Sequence, residues 1–150
     1  VAGTYTKLFH HIVFSTKNRQ PFITSAVEEE LYKYIGGIIR GIGGACLEIN
    51  GTADHVHILT IFPPKIALSD ALRDVKANSS KWVHETKQDL QQFGWQDGFS
   101  AFTVSKSQVE PVRQYIADQK AHHGQRDFKT ELLGLLDKHE IEFDERFIWD

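Results

Sequence analysis

Runs of alternating and helically spaced apolar residues divide the chain into short strands and amphipathic helices. Residues 5–16 (YTKLFHHIVFST) are rich in β-branched and aromatic side chains and predict a long first strand. The polar stretch KNRQP with Pro21 then predicts a turn. Leu31, Ile35, Ile38, Ile39 and Ile42 follow at helical spacing, with Ser25 and Glu28 as a capping box at the start and Gly43-Gly44 as the stop. Gly36 and Gly37 inside this helix each cost about 1 kcal/mol against alanine, which points to close packing or a partner at that position. Residues 45–50 (ACLEIN) predict a short second strand, and NGTAD turns the chain into a third strand over 55–62, ended by Pro63-Pro64.

Ser69 is positioned to cap a second helix over about 70–88, with Leu72, Val75, Trp82 and Val83 on its buried side. A fourth strand is expected near 100–105, followed by a helix from the capping box Ser107/Glu110, with Pro111 in its first turn, to about residue 123. A shorter helix near 128–138 and an acidic extended tail, IEFDERFIWD, complete the pattern. The order β-α-β-β-α-β followed by a helix predicts an α+β, ferredoxin-like fold in which the third strand is central and neighbours the first. No repeat, linker or low-complexity segment interrupts it, so residues 1–150 read as a single domain.

Composition narrows the class without naming an activity. The chain is 41% hydrophobic and 25% charged, as in soluble globular proteins. It carries no signal-peptide pattern and no apolar run of membrane-spanning length. A single cysteine, Cys46, suits a reducing cytoplasm, so a cytoplasmic protein without a membrane partner is expected. The net charge of −3 is unevenly spread: residues 127–150 carry −5, leaving +2 on residues 1–126, and the first twenty residues hold Lys7, Lys17 and Arg19 with no acid. That asymmetry permits a basic working face beside an acidic tail.

Chemistry concentrates at His55-Val56-His57 within HVHILTIF. Alternate strand residues share a face, so the two imidazoles leave the sheet together and offer a metal two neutral nitrogens. They form either a half-buried polar pair or half of a metal site, because catalytic metals usually take a third protein ligand. The third predicted helix supplies Tyr115 and Gln119, four residues apart and hence on one face, with His122 continuing the row and Val109, Val112 and Ile116 as an adjacent docking stripe. Taken alone, this helix presents either an ordinary boundary tyrosine or a nucleophile beside an oxygen ligand.

The HVH strand, the YIxxQ helix, the opening HHIVFSTKNRQP and the closing FDERFIW together resemble the HUH single-tyrosine transposases. These are insertion-sequence enzymes acting on single-stranded DNA, with the REP-associated tyrosine transposases as relatives. The resemblance runs through nearly the whole chain in order. It implies that His55 and His57 bind a divalent metal, Mg²⁺ or Mn²⁺, with Gln119 as third ligand and Tyr115 as nucleophile. A phenol of ordinary pKa, about 10, is a poor nucleophile at neutral pH, so a metal polarising the scissile phosphate makes chemical sense. The implied products are a 5′-phosphotyrosine and a free 3′-OH, made at hairpin-bearing element ends. The resemblance also implies a homodimer in which the tyrosine helix serves its own subunit or its partner's. Lys17, Arg19, Lys76, Lys81, Lys106 and Arg113 are the basic candidates for DNA contact, and His10, His11, His122 and His123 are either supports for the site or DNA contacts.

Two other functions fit the same pattern. A non-catalytic or domesticated hairpin-binding protein would bind nucleic acid without metal or Tyr115. A small metal-binding regulatory domain would bind metal without DNA.

Overall fold

A computed structural model describes residues 3–122 and 127–150, without the side chain of His122. His123 and His122's imidazole therefore lie outside the described residues. The strands are β1 (Phe9–Ser15), β2 (Ala45–Thr52), β3 (His55–Ile61) and β4 (Ser100–Val104), and the helices are α1 (Ser25–Ile42), α2 (Leu68–Thr86), α3 (Val109–Ala117), α4 (Gln119–His122) and α5 (Phe128–Lys138). The sheet order is β2-β3-β1-β4 with every neighbouring pair antiparallel, the ferredoxin-like arrangement. β3 is therefore an interior strand, paired with β1 in a register that sets His57 opposite Val13 and His55 opposite Ser15.

Strand alternation gives the sheet two different faces. Ile12, Phe14, Val56 and Ile58 point to one side and are sealed by Leu31, Ile35 and Ile39 of α1 and Leu72, Val75 and Val83 of α2. Each such side chain, fully buried, stabilises the fold by roughly 1.5–3 kcal/mol before entropy is counted. The opposite face carries His11, His55 and His57 beside Phe9, Val13 and Leu59. α3 covers Phe9 and Leu59 through Val109 and Ile116, and α5 covers Val13 and Phe102 through Phe128, Leu132 and Leu136. The histidines lie where these two helical covers meet.

Several helix starts differ from the sequence expectation. Val27 and Glu28 donate their N–H groups to the Thr24 carbonyl at 3.0 Å, so Thr24 is the cap of α1 and Ser25 lies inside, with no capping box. Ala71 N–H donates to Ala67 O, which starts α2 ahead of Ser69. A 3₁₀ turn, Lys106–Gln108, precedes α3 and places Ser107 outside it. The expected continuous helix to residue 123 is two helices, because Asp118 (φ −94°, ψ 16°) breaks the run and the Asn50 side chain of β2 takes the Ala117 carbonyl at 2.9 Å. The first strand is shorter than expected, and the tail extends only over residues 141–144 before turns at 145–149 bring Asp150 back to Gly98. Gly43 ends α1 in the left-handed conformation (φ 96°), as its position implies. Among the described residues no helix is long and apolar enough to cross a membrane.

Candidate metal and nucleophile site

The site begins at the turn between β2 and β3. The turn is so tight that a Cβ on Gly51 would lie 2.1 Å from the His55 carbonyl oxygen, which restricts the position to glycine. Thr16 N–H donates to the Asp54 carbonyl at 2.9 Å and pins the turn to the end of β1. Asp54 Oδ1 then lies 2.8 Å from His55 Nδ1, and Thr52 Oγ1 lies 3.0 Å from the same nitrogen. A carboxylate only accepts, so the Nδ1 proton belongs to this bond and Nε2 faces inward.

His57 is oriented from the other side. Its Nδ1 is 2.8 Å from Nε2 of His11 on β1, with the two rings stacked at 5.1 Å. Burial and the charge of His57 pull the His11 pKa down to about 3, only partly opposed by Glu131, so His11 is neutral and can accept or donate at Nε2. His57 Nε2 also faces inward.

Both inward nitrogens meet a carboxylate from α5. Glu131 Oε1 is 2.8 Å from His57 Nε2 and 3.4 Å from His55 Nε2. Its other oxygen accepts from the Tyr115 hydroxyl and from Gln119 Nε2, the latter at 3.1 Å. Gln119 Oε1 lies 3.4 Å from His55 Nε2. His55, His57, Gln119 and Glu131 are all buried, and Tyr115 is half-buried. Burial raises the carboxyl pKa of Glu131, but hydrogen bonds from both histidines, the His57 charge and the Tyr115 hydroxyl outweigh it and hold Glu131 ionised, well below the usual range. Burial lowers the His55 pKa, yet hydrogen bonds to Asp54 and Glu131 leave it raised overall.

The chain thus brings its own Tyr115 to its own histidines. The tyrosine ring lies 5.8 Å from His57 and 6.2 Å from His11. The break at Asp118 does not separate Tyr115 from Gln119, since both reach the same Glu131 oxygen. The basic candidates are scattered. Lys17 and Arg19 follow β1 at the His55 end of the sheet, with the Arg19 guanidinium 5.7 Å from the Trp149 ring. Lys106 lies in the turn before α3, and Arg113 lies midway along α3, paired with Glu48 at 3.1 Å. Lys81 is on α2, across the sheet from the histidines, 3.9 Å from Glu85. The Lys76 ammonium donates to the carbonyls of Gln96, Asp97 and Gly98, which turns it into a clamp on that loop.

The family pattern described as "Transposase IS200 like" matches residues 4–119. The chain belongs to this family, the single-tyrosine HUH transposases. The transposase for insertion sequence element IS200 of Salmonella typhimurium is 31% identical over 129 residues, covering 79% of this chain and 81% of the relative. The ISDra2 transposase TnpA of Deinococcus radiodurans is 23% identical over 122 residues, covering 78% and 87%. Among solved structures, a protein of Deinococcus radiodurans described as a candidate transposase superposes with a TM-score of 0.66 at 23% identity, over 79% of this chain and 95% of that one. A REP-associated tyrosine transposase bound to a REP hairpin superposes at 0.60 with 15% identity, over 83% and 76%. These two establish the fold; the family makes this transposase an enzyme of DNA cleavage and strand transfer.

Two site residues were not singled out from sequence. His11 stood among several accessory histidines, although the alternation of β1 puts it on one face with Phe9 and Val13. Glu131 was counted only as one acid of the C-terminal segment. Its signal is positional: Phe128, Leu132 and Leu135 surround it at helical spacing, so an acid occupies the apolar face of α5.

Proposed function

We propose that residues 1–150 of this transposase form one domain that cuts and rejoins single-stranded DNA at hairpin-bearing ends, with Tyr115 as nucleophile and a divalent metal at His55, His57 and Gln119. The observation that carries this reading is the convergence of the Tyr115 hydroxyl and both inward histidine nitrogens on one buried carboxylate. The donor set fits a metal. When His55 is neutral and its Nδ1 proton is shared with Asp54, the Nε2 lone pair faces Gln119 Oε1 and Glu131 Oε1, both at 3.4 Å and both acceptors. A cation or a proton must stand among them. Two imidazoles with oxygen ligands suit Mg²⁺ or Mn²⁺. When bound, such an ion polarises the scissile phosphate and neutralises charge that builds on its oxygens.

The chain's own groups perform the rest. α3 sets the phenol at the rim of a cleft of about 710 Å³ between β4, α3 and α5, lined by His11, Phe102, Val112, Tyr115 and His139. A strand entering there presents a phosphate to the Tyr115 oxygen. The Tyr–O–P bond forms as the bond to the 3′-oxygen breaks, leaving a 5′-phosphotyrosine and a free 3′-OH. Reversal by an incoming 3′-OH rejoins the strand without ATP, because the phosphodiester energy stays in the covalent link. In this reading Lys17, Arg19 and Lys106 hold DNA phosphates, while Arg113 stays paired with Glu48. We further read the protein as a cytoplasmic homodimer. Among the described residues, a Cβ on Gly36 or Gly37 would meet only the Arg40 guanidinium beyond the helix backbone, at 3.5 and 3.7 Å, so their packing there does not require glycine; light scattering of the purified protein tests the dimer.

The decisive experiment incubates the protein with a single-stranded hairpin oligonucleotide from the flanks of its gene plus Mn²⁺. A covalent protein–DNA adduct is expected from the wild type and is absent in Tyr115→Phe. Equal adduct from both would rule out Tyr115, and hairpin binding with no adduct from either would favour a non-catalytic binder.

A further inference from the structure

We propose that Glu131 of α5 is itself a ligand of the metal, and that the same carboxylate tethers Tyr115 to that metal through its second oxygen. The inference rests on the reading of Tyr115 and the histidine pair given above. It adds a residue that lies beyond the segment matched to the family, twelve positions past Gln119.

The geometry carries the first half. One coordinating atom from each of His55, His57 and Glu131 lies within 4.8 Å of the other two. The separations of Glu131 Oε1 from the two Nε2 atoms, 2.8 and 3.4 Å, bracket the about 3 Å between adjacent ligands of an octahedral ion whose bonds are about 2.1 Å long. Each histidine already has a partner on its far nitrogen, Asp54 for His55 and His11 for His57, the outer support that metal-bound imidazoles usually show. A buried carboxylate beside two such imidazoles gives an anionic, oxygen-bearing donor set. That set is harder than two imidazoles and an amide and better matched to Mg²⁺ or Mn²⁺.

The second half follows from how Glu131 divides its oxygens. Oε1 faces the histidine nitrogens, whereas Oε2 receives the Tyr115 hydroxyl and the Gln119 amide. An ion bound on Oε1 is thereby held at a fixed distance from the phenol on Oε2. Gln119 then has two tasks, since its Nε2 steadies Glu131 while its Oε1 faces the ion position. α5 is a rigid platform for this, with Asp127 capping its first turn at Thr130 N–H (2.9 Å) and the Phe128 ring 4.6 Å from His55.

The test titrates Mn²⁺ into the full-length protein without DNA, followed by electron paramagnetic resonance, and compares wild type, His57→Ala, Glu131→Gln and Tyr115→Phe. Glu131→Gln keeps the shape and a carbonyl that accepts the Tyr115 hydroxyl, but it removes the anionic ligand. It is expected to weaken Mn²⁺ binding more than about tenfold, since even outer supports of metal ligands are worth 10- to 100-fold, while Tyr115→Phe binds as wild type does. With Mn²⁺ raised to saturation, adduct formation should recover in Glu131→Gln and stay slow in Glu131→Ala, which lacks the tether. Wild-type Mn²⁺ affinity in Glu131→Gln, with binding lost in His57→Ala, overturns the ligand assignment and leaves the histidine site standing. No binding by the wild type overturns both. Equal adduct rates for the Gln and Ala variants at saturating metal overturn the tether. The rise in melting temperature on adding Mn²⁺ gives a second reading of affinity in each folded variant.

Discussion

His11 and Asp54 do the same job for different histidines: each occupies the outward Nδ1 so that Nε2 points inward. They differ in charge, and the difference is measurable. Asp54 is an acid on the rim, whereas His11 is buried and neutral with a pKa near 3. In the unfolded chain His11 returns to about 6.5. Between pH 6.5 and 3 the unfolded state therefore binds a proton that the folded state refuses, and stability falls as pH falls across that window. His11→Gln removes this proton. Urea unfolding between pH 6.5 and 5 should show a slope of stability against pH that is shallower in the variant, by up to about 1.4 kcal/mol per pH unit. An unchanged slope would mean that His11 is already charged in the fold.

At the scale of elements, α5 and α1 make opposite demands on their sequences. α5 must hold an acid against the sheet, and its Asp127 cap fixes the first turn from which Glu131 projects. Asp127→Ala should cost about 1 kcal/mol in chemical denaturation. α1 tolerates Gly36 and Gly37 without needing them internally. Gly37→Ala should therefore stabilise the isolated subunit by about 1 kcal/mol, read as a higher melting temperature at low protein concentration. The strands and helix centres were legible because period-2 and period-3.6 apolar patterns are local. The cap positions were not: backbone carbonyls one and two residues upstream of Ser25 and Ser69 take the amides those serines would cap, and Ser107 falls inside the 3₁₀ turn before α3. The break before Gln119 was not legible either. It depends on Asn50, 67 residues away, capturing the Ala117 carbonyl.

At the scale of the molecule, histidine pair, tyrosine and glutamine were legible as a set because their types and order match a known family, while nothing in the spacing of Glu131 reveals what faces it across the sheet. Charge was the least legible property. Six basic residues looked equivalent, yet Lys76 is committed to three backbone carbonyls and Arg113 to Glu48. Lys17 is exposed beside the histidine end of the sheet. Lys17→Ala should weaken binding of a single-stranded oligonucleotide and lower the salt dependence of log K by about 0.7, whereas Lys76→Ala should leave that slope alone and lower the melting temperature. Fluorescence anisotropy over a series of salt concentrations separates the two.

The two helical covers of the sheet also arrive at different times during synthesis. α1 and α2 lie between the strands they cover, but α3, α4 and α5 all come after residue 105, when the sheet is already complete. Chains grow from the N-terminus at roughly 5–20 residues per second, so the histidine face stays bare for some seconds after its strands can pair. During that interval the nascent enzyme holds imidazoles without a phenol. The site is assembled only when the last third of the chain closes over it.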